Sequence, residues 1–222
     1  MHVKTRRILM SVAGTTIVAV GVGLMRFAAF GVDPFTVLMS GLDRRIPIPY
    51  GTLYVIVNLT MLLFSLLTER KYIGLGTVLN LCFTGYIAEF ILGLMQGLFP
   101  TAGFALRGAV LICSLLILCF GSSIYMTADL GVSAYDAVAL VMANKWHLWK
   151  FKYLRICTDL VCVVAGIALF LMGGGKVSQI PTIVGVGSVI TAFFMGPTIA
   201  FFGRWVSRWL EENTSKKTER GN

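Results

Sequence analysis

The sequence predicts an all-α polytopic membrane protein with six principal transmembrane helices. Three observations predict it: six long apolar stretches, a shortage of charge, and basic residues gathered on alternate connections. Of the 222 residues, 57% are hydrophobic and only 13% are charged, whereas a soluble domain averages about 25% charged. Mean hydropathy is +0.83. A helix needs ~20 mostly apolar residues to cross ~30 Å of hydrocarbon. A soluble chain of this size could not wrap so much apolar surface in a core.

The spans read as 8–30, 53–67, 73–95, 106–128, 154–172 and 182–202. Lys4, Arg6 and Arg7 precede the first apolar run, as in a signal peptide. The run is too long for a signal core and more spans follow, so it reads as an uncleaved helix. With the N-terminus inside, thirteen basic residues lie on cytoplasmic segments, among them Arg70, Lys71, Lys145, Lys150, Lys152, Arg204 and Arg208. Only Arg44, Arg45, Arg107 and Lys176 lie opposite. This asymmetry predicts a multi-pass protein of the plasma (inner) membrane with both termini cytoplasmic. Trp146, Trp149, Trp205 and Trp209 fall at the cytoplasmic boundary, as an aromatic belt would. Segment 204–212 reads as an interfacial amphipathic helix, and 213–222 as a polar, frayed end.

The two halves of the chain match. GVDPFTVLMSGL at Gly31 corresponds to GVSAYDAVALVM at Gly131, and YGTLYVIVNL at Tyr50 to FKYLRICTDL at Phe151. GTVLNLCFTG at Gly76 corresponds to GSVITAFFMG at Gly187. The expected organisation is a three-helix repeat over 1–100, a second over 101–203, and a tail over 204–222. Three spans is an odd number, so the repeats would be inverted. Coincidental likeness between apolar stretches is the alternative.

Each repeat carries a short apolar segment after its first span, 34–42 and 134–142. Gly31 breaks the first helix, Asp33 supplies an N-cap, and Pro34 suits the first helical position. Gly131 breaks the second, and Ser133 with Asp136 has the form of a capping box. Broken backbone at membrane depth is tolerated only beside protein or a water-filled cavity. Paired interruptions in two repeats are the sequence signature of a transport site. Simple turns at the membrane surface are the competing interpretation.

Charge inside a span is costly and usually paired or functional. Arg26 stands seven residues before Asp33, two turns along one face if the helix continued. It either pairs there, faces the pathway, or snorkels to the surface. Arg155 and Asp159 have the i, i+4 spacing of an intrahelical ion pair, and Asp159 occupies the repeat position of Asn58. Thr77, Asn80 and Thr84 share one face, with Ser188 and Thr191 as counterparts of the first two. Gly76, Gly85, Gly187 and Gly196 allow close helix contact. Glu89 and Asp129 lie near span ends, where facing water is one reading for both; of the two, Asp129, two residues before Gly131, is the one expected to face the site.

GVDPF, GVSAY with Asp136, GTVLNLCFTG, GSVITAFFMGP and RICTD resemble the bacterial YczE/YitT-type membrane proteins, YczE-like members most. The resemblance runs from about Gly21 to Pro197, with Ala134 where a proline is more usual. It implies a multi-span plasma-membrane protein with suspected transport activity. It brings no substrate and no binding residues.

The expected function is a secondary permease for a small polar solute, with proton coupling open. Asp33, Asn58, Asn80, Asp129, Asp136 and Asp159 would line the pathway, with Arg26 and Arg155 as counter-charges or anion ligands. The alternative is a non-transporting accessory protein that organises a membrane-associated complex. No nucleophile–base pair, metal constellation or P-loop is visible, so neither an enzyme nor a cofactor is expected. Cys82, Cys113, Cys119, Cys157 and Cys162 all sit in apolar runs, as small hydrophobes do. The expected partners are the lipid bilayer and a solute, with self-association open. Basic residues placed between apolar runs argue against nucleic acid.

Overall fold

The computed structural model describes residues 3–219. Among these residues every regular element is helical. The order is α1 (Val3–Ala28), α2 (Pro34–Arg45), α3 (Tyr50–Thr68), α4 (Leu75–Leu98), α5 (Phe104–Ala128), α6 (Ala134–Asn144), α7 (Phe151–Met172), α8 (Ile180–Ile183) and α9 (Val186–Glu219). Single 3-10 turns, Arg70–Tyr72 and Val177–Gln179, precede α4 and α8. Six helical stretches are long and apolar enough to cross a membrane. Their outward faces carry Leu9, Leu63, Phe90, Leu116, Val164 and Phe193, all exposed. Such a surface is stable only against lipid, so the chain is a multi-pass membrane protein in contact with the bilayer.

The expected sixth span differs in two ways. Its start is broken: α8 ends at Ile183 and α9 begins at Val186. Gly185 sits in the gap because a Cβ there would lie 2.6 Å from the carbonyl oxygen of Phe30. The tail is not a separate element either. Helix α9 runs unbroken past Pro197 to Glu219, so the stretch expected to fray is helical up to that residue. Residues 220–222, the surroundings of Gly196, and the side chains of Lys152 and everything beyond Trp209 lie outside the described residues.

Small residues set the packing. Helices α1 and α5 cross antiparallel at the centre: Gly14 lies against Tyr125, Gly21 against Leu118, and Gly121 against Val18. A Cβ on Gly121 would stand 2.7 Å from the amide nitrogen of Val18, so only glycine permits this approach. Helix α4 packs on α1, and α9 packs on α5. The short helices cross over: α2 packs chiefly on α7 and α6 chiefly on α3. Gly41 meets Gly166 at the first of these contacts. A cluster of Val22, Phe35, Met39, Tyr50, Tyr54, Leu118, Tyr135 and Cys162 fills the centre, drawing on both halves of the chain.

Gly121→Ala should lower the melting temperature in detergent, because the α1–α5 crossing must open. Gly93→Ala, where no atom lies within 4 Å of the new methyl, should leave it unchanged or raise it. Equal effects of the two substitutions would remove the close crossing from this description.

Candidate functional site

The two breaks have the same backbone path. Helix α1 is followed by Ala29 at φ 55° and Gly31 at φ +100°; helix α5 is followed by Asp129 at φ 51° and Gly131 at φ +104°. Glycine is the residue suited to such dihedrals. Asp129 tolerates the left-handed region better than most residues, but Ala29 carries no signal for it.

Each break is held by the start of a helix from the other half. Val32 N–H donates to Ile183 carbonyl at 3.0 Å and Gly187 N–H donates to Phe30 carbonyl at 2.7 Å. In the counterpart, Val132 N–H donates to Tyr72 carbonyl at 3.1 Å and Gly76 N–H donates to Leu130 carbonyl at 2.8 Å. The Ser188 hydroxyl donates to Val32 carbonyl at 2.7 Å and accepts from Gly185 N–H at 3.3 Å. Thr77 does the same, donating to Val132 carbonyl at 2.6 Å and accepting from Gly74 N–H at 3.2 Å. Polar backbone that would otherwise be stranded at membrane depth is thereby satisfied.

Beyond the breaks the short helices start with their caps. The Asp33 carboxylate accepts from Thr36 N–H at 3.1 Å, with Pro34 in the first turn as expected. Ser133 accepts from Asp136 N–H at 3.1 Å. The capping box is only half formed, because the Asp136 carboxylate accepts from the Ser133 hydroxyl at 2.7 Å and pairs with Arg155. The first turns of α2 and α6 meet at their aromatic residues, Phe35 and Tyr135, whose ring centroids stand 5.3 Å apart. Tyr54 closes on Phe35 edge-on at 5.6 Å.

Arg155 organises the polar side of this junction. Its guanidinium pairs with Asp136, reaches Asp159 at 3.4 Å, and lies 4.2 Å from the centre of the Tyr135 ring. Tyr135 hydroxyl donates to Asp159 at 2.6 Å. The three charged side chains keep 30–40% of their surface exposed. Two carboxylates thus share one guanidinium near the place where the positive ends of two short helices converge, which moderates the excess of negative charge.

The remaining expected residues divide. Asn58 is buried and donates to its own helix at Tyr54 carbonyl, 2.9 Å away. Asn80 is buried with its Oδ1 3.5 Å from the Tyr54 hydroxyl, and Thr77 and Thr84 are buried on the same face. Arg26 does not pair with Asp33, since the helix ends between them. It meets Asp43 at the far end of α2, at 3.1 Å, with its guanidinium 3.5 Å from the centre of the Tyr50 ring. Asp129 does not face the junction: its side chain is 82% exposed and lies 3.6 Å from Arg7. The left-handed turn at Asp129 directs it outward, toward Arg7. Glu89 does not stand free in water but accepts from Gly51 N–H at 2.9 Å. Among the described residues no three of His, Cys, Asp and Glu gather as a metal site.

Sequence reasoning passed over Phe35, Tyr54, Tyr135 and Asp43. The pair Phe35 and Tyr135 carried a signal, being aromatic at corresponding positions of the two halves. Asp43 and Glu89 carried none, because their partners are distant in sequence.

A model of a family of unknown function, DUF6198, matches residues 5–204. An uncharacterized protein of Haemophilus influenzae is 28% identical over 196 residues, covering 87% of this chain and 81% of its own. The uncharacterized membrane protein YczE of Bacillus subtilis is 23% identical over 192 residues, covering 85% and 81%. The YczE-like resemblance read from the motifs is thus shared along most of the chain. No solved structure matches.

Thr77→Val and Ser188→Ala should each destabilise the protein by about 1–3 kcal/mol, the cost of leaving a buried carbonyl without its donor. Chemical unfolding followed by tryptophan fluorescence measures this. Variants as stable as the parent would show that the hydroxyls do not hold the breaks.

Proposed function

The chain belongs to the DUF6198 family of unknown function, and we propose that it is a secondary permease for a small polar solute. The observation that carries this reading is the junction of α2 and α6. Two short helices begin head to head, Asp33 caps the first, and Arg155 with Asp136 and Asp159 lies beside the contact. Partly exposed charge at an interrupted helix is how membrane proteins build solute and ion sites. A solute's ammonium or carboxylate group would exchange with one arm of the Arg155 network. The three acids offer a place for a coupling proton.

In this reading the halves are inverted repeats, and the protein lies in the plasma membrane with both termini cytoplasmic. The matched backbone at Gly31 and Gly131, the exchanged hydrogen bonds, and the antiparallel crossing of α1 and α5 support the inversion. The bias of lysine and arginine toward one set of connections supports the orientation. Phe35, Tyr54 and Tyr135 would form the closed gate of an occluded state. Their packing also favours the second reading, a non-transporting accessory protein in which the rings and charges are structural.

Purified protein in proteoliposomes, offered a pool of small polar metabolites, should enrich at least one of them inside. Asp159→Asn should cut that uptake at least about tenfold, the loss expected when a charge-assisted contact goes. Folded wild-type protein that enriches nothing, together with Asp33→Asn and Asp159→Asn strains that behave as wild type, would favour the accessory role.

A further inference from the structure

A second polar feature lies apart from the junction. The ends of α1 and α4 and the start of α5 line an open cleft of about 450 Å³. Arg26, Gln96 and Arg107 supply its polar lining, beside Phe27, Phe99 and Pro100. Clefts of this size suit small ligands.

We propose that this cleft binds a phosphate group, carried either by a small soluble molecule or by a lipid headgroup. The starting point is unbalanced charge. Arg26 is nine-tenths buried. Its Nη2 is taken by Asp43 at 3.1 Å, but its Nη1 is buried with no hydrogen-bond partner. Arg107 has a buried Nε, also with no partner. Among the described residues no carboxylate lies within ion-pair distance of Arg107. Two guanidiniums therefore line one cleft while only Arg26 has a carboxylate partner, and a charge left unbalanced in a partly buried site calls for an anion.

The position of Arg107 sharpens the point. It stands in the first turn of α5, where the helix dipole disfavours a cation. Snorkelling to the surface would spread its guanidinium into water, yet Nε is buried. Two guanidinium forks around one space suit the tetrahedral oxygens of phosphate better than a single carboxylate. The Gln96 amide adds donors at the rim.

The inference does not rest on transport. The test uses full-length protein in phosphatidylcholine nanodiscs, titrated calorimetrically with inorganic phosphate at constant ionic strength. Saturable binding is expected, and Arg107→Gln should weaken it at least about tenfold. Arg26→Gln also breaks the pair with Asp43 and can misfold, so Arg107→Gln and Gln96→Ala carry the test. Their melting temperatures without phosphate should match the parent. A parallel arm uses nanodiscs containing phosphatidylglycerol. Retention of that lipid by wild type but not Arg107→Gln, with loss of free-phosphate binding, would support the site and assign it to a headgroup. Absence of both phosphate binding and lipid retention would overturn the proposal. So would binding that Arg107→Gln leaves unchanged.

Discussion

Broken backbone at membrane depth must find hydrogen-bond partners, and here each break finds them in the other half of the chain. Residues 30–32 are bonded by 182–188, and residues 130–132 by 72–77. In hydrocarbon a stranded peptide group costs several kcal/mol. The exchange of bonds therefore decides where α2 and α6 begin and ties the halves into one body.

The rest follows from that exchange. Gly31 and Gly131 turn the chain where a Cβ would strike the opposing strand of backbone. Thr77 and Ser188 each serve two backbone groups, so one hydroxyl locks the end of one helix to the start of another. The short helices then cross over, α2 to α7 and α6 to α3, and their first turns meet at Phe35 and Tyr135. Arg155 and Asp159 reach that meeting point because α7 supports α2 while Tyr135 arrives on α6.

How much of this could be read in advance depended on whether the determining physics is local. Hydropathy is local, so the spans were legible, except where α9 continues as helix beyond the apolar stretch. Cap chemistry is local, so Asp33 with Pro34 and Ser133 marked the starts of α2 and α6. The left-handed turn at Ala29 was invisible, because alanine has no preference for it. Arg26 with Asp43 and Glu89 with Gly51 were hidden because each contact spans a turn of the tertiary path rather than a helical period. Asp129 misled: nearness in sequence to Gly131 suggested the interior, while the turn sends it outward to Arg7. Thr77 and Ser188 were visible as polar positions, but their role depends on which backbone lies opposite.

The central claim is that two helices begin together inside the protein and leave toward opposite membrane faces. Ile48 follows α2 and Leu148 follows α6, and both are exposed. The direct measurement replaces the five cysteines, introduces Ile48→Cys or Leu148→Cys, and labels intact cells with a membrane-impermeant maleimide. The account predicts labelling of the first in intact cells and of the second only after the membrane is opened. Labelling of both from the same side would contradict it.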